Sequence, residues 1–506
     1  MSASSRRHPV TLLAAAVAVI AILPLAVILP TAMSEGPDRA AAFLLRPRIG
    51  ELLGNTGALI AVTVPATLVL GTLAAWLVER TSVPWAGAWR TMLLMPLAVP
   101  AFVSAYAWTA AAPWLDGLAG AALVTTLAYL PFVFLPAAAM LRSLDPGDEE
   151  VARSLGLSPA KAMLRTVLPR LRPAIAGGGL LVALHLLAEY GVLELMRFQT
   201  FTTAIMQQYA VGFSDVSGSL LATVLLGLCL LALLIDVVLR GRHRVARLGS
   251  GVQRRATLVG LGAWTLPSLA LLATLVGLSV ALPVSMVMRW LSSETGLAGV
   301  DLDLLVRTGS TVGLAALGAL AATAAALPGA WLLERHRSRL AHLLERGTFL
   351  ASAFPGVVVG LALVTLAVRW AQPLYQTVAL AVLAYALLFL PRAMVSLRAG
   401  LAASPPELSE AARSLGSSGP ATLVRVVLPL MAPSVLTGLV LVALAVVTEL
   451  TATLLLAPTG VSTLAISFWR EASALDYGGA APYAAAMIGL SLPLTLLLRR
   501  HILEER

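Results

Sequence analysis

Glu149-Glu150-Val151-Ala152-Arg153-Ser154-Leu155-Gly156 is a polar stretch set between long apolar runs, with Leu168-Pro169 closing the gap thirteen residues beyond the glycine. The pattern returns as Glu410-Ala411-Ala412-Arg413-Ser414-Leu415-Gly416, with Leu428-Pro429 at the same distance. Each carboxylate falls in what reads as the first turn of a short helix, where the helix dipole favours negative charge. Gly156 and Gly416 fall where a left-handed residue would end that helix. Ser158-Pro159 then offers an N-cap and a proline at the first helical position, and Pro420 is placed to start the matching turn. Pro169 and Pro173 are expected to mark re-entry into the membrane.

Around these gaps the chain of 506 residues is 59% apolar and 12% charged, against about 25% charged in an average chain. Its mean hydropathy is +0.89. Apolar spans near the ~20 residues that cross a bilayer as helix recur along the whole length. They lack the polar–apolar alternation of membrane-barrel strands. An all-α polytopic membrane protein is expected. The net charge of +10 does not call for nucleic acid, because the arginines concentrate in alternate loops, as the positive-inside rule describes. The single Cys229 permits no intrachain disulfide. The first apolar run, from Val10 to about Met33, is too long for a signal-peptide core and reads as an uncleaved span.

About twelve transmembrane helices are expected, near 10–33, 55–78, 91–112, 119–141, 174–196 and 217–239, then 257–288, 309–333, 348–368, 375–397, 434–456 and 481–498. With both termini cytoplasmic, about 27 of the 35 basic residues lie on the inner side. Both loops then face the cytoplasm. The outer segments are longer and mildly acidic, with a short amphipathic helix expected near 40–53. An internal repeat underlies this order. Trp76-Leu77-Val78-Glu79-Arg80 matches Trp331-Leu332-Leu333-Glu334-Arg335, and Pro100 matches Pro355, both offset by 255. From Glu150 and Glu410 onward the offset is 260. The expected division is a first half, 1–240, with its loop at 142–172, a basic cytoplasmic linker, 241–256, and a second half, 257–506, with its loop at 398–432. Six spans separate the copies, so the halves run parallel.

The two loops resemble the cytoplasmic coupling loop (the EAA loop) of binding-protein-dependent ABC importer permeases. The resemblance implies a type I importer-like bundle of two six-helix halves in the bacterial inner membrane. It also implies that two copies of a cytoplasmic ABC ATPase dock on the loops, and that a periplasmic or lipid-anchored substrate-binding protein delivers the cargo. Carried over, the ATPase-coupling residues are Glu150, Ala152 and Gly156, with Glu410, Ala411, Ala412 and Gly416. Val151 departs from the motif's first alanine. No Walker A loop is present and the only lysine, Lys161, lies outside any such pattern. The chain is therefore expected to bind no cofactor, with ATP used by the partner. Beyond the loops the chain resembles the fused two-half permeases of ferric iron importers. Ala188-Glu189-Tyr190-Gly191 and Phe201-Thr202-Thr203-Ala204-Ile205 carry this in the first half. Glu449-Leu450-Thr451-Ala452-Thr453 and Pro458-Thr459-Gly460 carry it in the second. Permeases for thiamine, polyamines, sulfate or molybdate share the scaffold.

Glu189 and Glu449 stand sixteen residues beyond Pro173 and Pro433, ~24 Å along a helix. Carboxylates at such depth are costly and face a pathway or a partner. Ferric ion is a hard cation suited to oxygen donors, which makes Glu189, Tyr190 and Glu449 the pathway candidates. The two glutamates are transient metal contacts rather than a firm site. The competing reading is that each glutamate hydrogen-bonds a neighbouring helix. Tyr129 is read as a packing or belt aromatic, and His185, with Ala445 at its repeat position, as a packed polar side chain. A twelve-helix secondary transporter would share the parallel repeat but leaves the paired loops unexplained. An embedded enzyme lacks any HExxH, paired cysteines or clustered histidines.

Overall fold

The computed structural model describes residues 9–144, 147–209, 215–240, 258–335, 354–402, 404 and 406–503. The expected linker 241–256 lies outside them. The described residues are helical apart from short connections and one isolated bridge, Thr81 with Val259. Among the described residues ten helices are long and apolar enough to cross a membrane. A further pair, Ala86–Ala98 with Ala101–Ala111, is apolar and long enough only when taken together, and is bent by 92°. The bend falls at Val99-Pro100: Val99 is extended (φ −102°, ψ 113°), as a residue before proline prefers. Pro355 likewise precedes the 15-residue apolar helix Gly356–Trp370. The third span of the first half is thus a bent pair rather than a straight helix.

The repeat is visible in the elements. Pro47–Arg80 and Leu302–Arg335 are both 34 residues long, ~51 Å of helix against ~30 Å of hydrocarbon. The stretch near 40–53 is not one amphipathic helix. Pro37–Leu44 ends, Arg46 turns extended before Pro47, and the long helix starts there. After each glycine-stopped loop the order is again the same. A four-residue helix (Pro159–Ala162, Gly419–Thr422) runs into a π turn (Met163–Val167, Leu423–Val427) and then into a long span. Pro169 lies in the first turn of Leu168–Ala188, and Pro173 and Pro433 lie in helix interiors. A third π turn, Gly277–Ala281, also directly precedes a Leu-Pro pair, Leu282-Pro283. A proline ring collides with the carbonyl four residues back in a regular α-helix, and a wider π turn opens that position.

Two compact units each combine pieces of both sequence halves. One comprises mainly Arg46–Ala204 and Gly227–Trp290. Its central helix is Gly117–Ser143, 72% of whose apolar window is buried. A Cβ on Gly71 would sit 2.8 Å from Val133 Cβ, and one on Gly178 would sit 2.9 Å from the Phe132 carbonyl. Small residues therefore let the Pro47–Arg80 and Leu168–Ala188 helices close on the central one. Leu261, Leu272 and Leu275, from the start of the second sequence half, join this core.

The other unit comprises Met1–Leu45, Ile205–Leu226 and Leu291–Ile502. Val378–Ala402 is its most enclosed helix, with 61% of its window buried. The first helix of the chain, Pro9–Ala32, packs here against Leu302–Arg335 and Gly356–Trp370. Ala32, Ala40 and Leu220 form a small satellite core with Phe43 and Val216.

Candidate functional site

The first loop holds an eight-residue helix, Gly147–Ser154, and the second a nine-residue one, Pro406–Ser414. Both end as the sequence predicts. Gly156 has φ +90° and Gly416 φ +86°. Gly156 N–H donates to the Arg153 carbonyl and Leu157 N–H to that of Ala152, at 3.0 and 3.2 Å. Gly416 and Ser417 repeat this on Arg413 and Ala412, both at 3.0 Å. These paired bonds are a Schellman motif, closing the last turn in both copies. The chain then restarts at Pro159 and at Gly419, where the Ser418 hydroxyl accepts from Ala421 N–H at 3.4 Å.

The motif side chains divide by face. Glu150, Glu410 and Ala411 are exposed, Ala412 is half-buried, and Ala152 is buried. Leu155 is 80% exposed and Leu415 87%. Each is the fourth residue after another exposed position, Val151 or Ala411, so the pair shares one helix face. Val151 therefore lies on the outward face and not against the protein. Nothing lies within 4 Å of a Cβ built on either glycine.

Behind each loop an ion pair joins two long helices at their loop-side ends. Glu79 takes Arg90 in two hydrogen bonds of 2.7 and 2.8 Å and lies 3.9 Å from Arg142. Glu334 takes Arg398 at 3.1 Å. In the first unit Arg80 also faces Glu149 at 3.6 Å, both side chains buried. The sequence reading passed over this pair, because residues 69 apart give no local signal.

At the far end of the next span both halves break. The expected helix 174–196 stops at Ala188, and Gly191–Leu195 starts anew. The expected 434–456 stops at Val447, and Thr451–Leu456 follows. The glutamates sit in these breaks rather than within continuous helices. Glu189 Oε1 accepts from Val192 N–H at 3.0 Å and Glu449 Oε1 from Ala452 N–H at 2.9 Å. Each carboxylate thus caps the helix that follows, where donors are otherwise orphaned. Threonine hydroxyls take carbonyls around the breaks: Thr202 that of Leu187, and Thr453 that of Glu449, both at 2.8 Å. Irregular backbone within a membrane requires such internal partners.

The second glutamate oxygen differs between halves. Glu189 Oε2 accepts from the Tyr129 hydroxyl, so Tyr129 is a carboxylate partner and not simply a packing aromatic. His185 packs its ring on Tyr129 and Phe132, and its Nδ1 lies 2.7 Å from the Leu181 carbonyl. In the other unit Tyr385 hydrogen-bonds Thr453 at 2.8 Å, and Arg392 lies within coulombic reach of Glu449. Glu449 Oε1 also stands 2.8 Å from where a Gly356 Cβ would be. That carboxylate therefore rests on the N-terminus of Gly356–Trp370, the end that favours an anion. Tyr190 is half-buried beside the first break. Among the described residues no three His, Cys, Asp or Glu side chains are grouped to hold a metal ion.

Two matched helices, each stopped by a glycine and leading through a π turn into a broken span, recur at the same place in both halves of a polytopic membrane protein. The family model for the binding-protein-dependent transport system inner membrane component matches at residues 67–245 and again at 318–502. The chain belongs to this family, and is a multi-pass inner-membrane permease of the ABC importer class, working with an ATPase and a substrate-binding protein.

Among individual relatives, the Fe(3+)-transport system permease protein FbpB 2 of Haemophilus influenzae is 34% identical over 499 residues, covering 97% of this chain and 98% of its own. The ferric transport system permease protein FbpB of Actinobacillus pleuropneumoniae is 26% identical over 76% of this chain and 58% of its own. The sulfate transport system permease protein CysW of Escherichia coli is 27% identical over 35% of this chain and 67% of its own.

Proposed function

We propose that this permease imports ferric iron, with two copies of a cytoplasmic ABC ATPase seated on its two coupling helices. One observation carries the cargo assignment. Likeness to a permease named for Fe(3+) runs through 97% of the chain, both halves included, whereas likeness to the sulfate permease covers 35%. The halves 1–240 and 257–506 each supply one coupling helix, and both termini lie in the cytoplasm. The chain binds no cofactor of its own, and ATP is hydrolysed by the partner. A periplasmic or lipid-anchored binding protein supplies the iron.

In this reading Glu150 and Glu410 offer charge to the ATPase cleft, and Leu155 and Leu415 insert as apolar anchors. Gly156 and Gly416 end each helix where the cleft must close over it, with Ala152, Ala411 and Ala412 keeping the helix slim. Glu189, Tyr190 and Glu449 belong to the pathway. A hard cation passing a helix break meets carboxylate oxygens that already serve the backbone, beside the phenol of Tyr190. Contact is brief because the caps compete for the same oxygens.

The test is uptake by proteoliposomes holding the permease with its ATPase. Ferric iron offered on the cognate binding protein should accumulate only with ATP inside. Accumulation of sulfate but not iron would reassign the cargo, and uptake without the ATPase would remove the coupling role.

A further inference from the structure

The two coupling loops are alike in backbone, and the first is fastened by a buried ion pair. Arg80 is the last residue of the 34-residue helix Pro47–Arg80. Its Nη2 donates to the Leu144 carbonyl at 3.3 Å, at the end of Gly117–Ser143. Its Nη1 lies 3.6 Å from Glu149 Oε2, on the coupling helix itself. The side chains are only 3% and 9% exposed, so solvent does little to screen the pair. One planar guanidinium thus spans the entry to the loop, a geometry lysine cannot reproduce.

The backbone of the same residue is held as well. Val259 N–H donates to the Arg80 carbonyl at 2.9 Å and Ser82 N–H to the Val259 carbonyl at 3.0 Å. Glu79, next to it, ties this helix end to Arg90 and Arg142.

The second half keeps one of these ties and carries a different residue at the position of Glu149. Glu334 with Arg398 repeats the pairing of Glu79 with Arg142. At the repeat position of Glu149 stands Ser409, whose buried hydroxyl has no hydrogen-bond partner among the described residues. A serine cannot form the charge pair that Glu149 forms.

We infer that Arg80 and Glu149 are positioning residues that make the first coupling helix and the Pro47–Arg80 helix move as one lever. A push on Gly147–Ser154 is delivered to the end of a helix ~51 Å long, so a small displacement at the loop becomes a tilt along the whole span. This rests on the reading of Gly147–Ser154 as an ATPase-docking helix.

The experiment measures cargo moved per ATP hydrolysed by the reconstituted permease–ATPase complex. Glu149→Gln keeps shape and removes charge. It should lower the ratio by about fivefold, within the range that coupling-network variants show, while the ATPase still co-purifies in wild-type amount. Glu149→Asp should recover part of the loss. Arg80→Gln combined with Glu149→Gln should be no worse than the poorer single variant, since the two act as a pair. If Arg80→Gln does not accumulate, the two Glu149 variants decide alone. A wild-type ratio in Glu149→Gln, or losses that multiply in the double variant, would overturn the lever. Leu155→Asp with Leu415→Asp tests the underlying reading separately. ATPase retained by that variant would refute docking, whereas ATPase lost there beside a wild-type ratio in Glu149→Gln would refute the lever only.

Discussion

Glu189 accepts from a backbone N–H through one oxygen and from the Tyr129 hydroxyl through the other, so its structural and transport roles can be pulled apart by chemistry. Tyr129→Phe removes only the hydroxyl. A lost hydrogen bond to a charged acceptor costs about 1.5–3 kcal/mol, and thermal unfolding of the purified protein should begin at a lower temperature than in wild type. Glu189→Gln with Glu449→Gln behaves oppositely. An amide oxygen still accepts from Val192 and Ala452 N–H, and its NH2 can donate to a phenol oxygen. Both breaks should persist, with unfolding temperature and ATPase binding close to wild type. Iron uptake should fall, because the charge a cation would meet is gone; unchanged uptake in this double variant would make the glutamates caps and nothing more.

The glycines that stop the coupling helices show what a local pattern can reveal at the scale of an element. Space around Gly156 and Gly416 is open, so a side chain there clashes with no neighbour. The penalty is the left-handed backbone, roughly 1–2 kcal/mol for an L residue and less for asparagine, which tolerates it. Replacing both glycines with valine should unwind the last turn and let ATP hydrolysis run without transport, and replacing both with asparagine should preserve coupling; phosphate release measured beside uptake separates these outcomes. The π turns make a second test. With Pro169→Ala and Pro429→Ala the steric reason for the wide turn is gone. Return to regular α-helix would swing the coupling helix by about one residue's rotation, ~100°, so transport per ATP should drop, and hydrogen exchange should slow at Met163–Val167. The caps were legible because glycine, serine and proline act within a few residues of themselves. The breaks at Glu189 and Glu449 were not, since apolar residues continue on both sides and hydropathy is blind to direction. Nor were Tyr129 beside Glu189 or Arg80 beside Glu149, contacts that only the tertiary fold creates.

Across the whole molecule, the sequence repeat and the compact units do not share boundaries. Pro9–Ala32 is encoded in the first half and packs with Leu302–Arg335 and Gly356–Trp370 of the second. Leu261, Leu272 and Leu275 are encoded in the second half and lie in the core built on the first. Each half alone would leave its opening span without those partners and expose in its main bundle the surface the other's opening span covers. Helix association in lipid depends on packing between specific surfaces, which lipid tails do not replace. Splitting the chain within 241–256 should therefore give two fragments that co-purify when made together and transport as the intact chain does, while either made alone is degraded. Moving the cut past Leu261 should weaken recovery, because Val259, paired with Arg80 and Ser82, would then be severed from Thr265–Val276, the helix it ties to the first half. Fragment abundance and uptake for the two cut sites distinguish this interleaved assembly from two self-sufficient halves, for which either fragment would be stable alone.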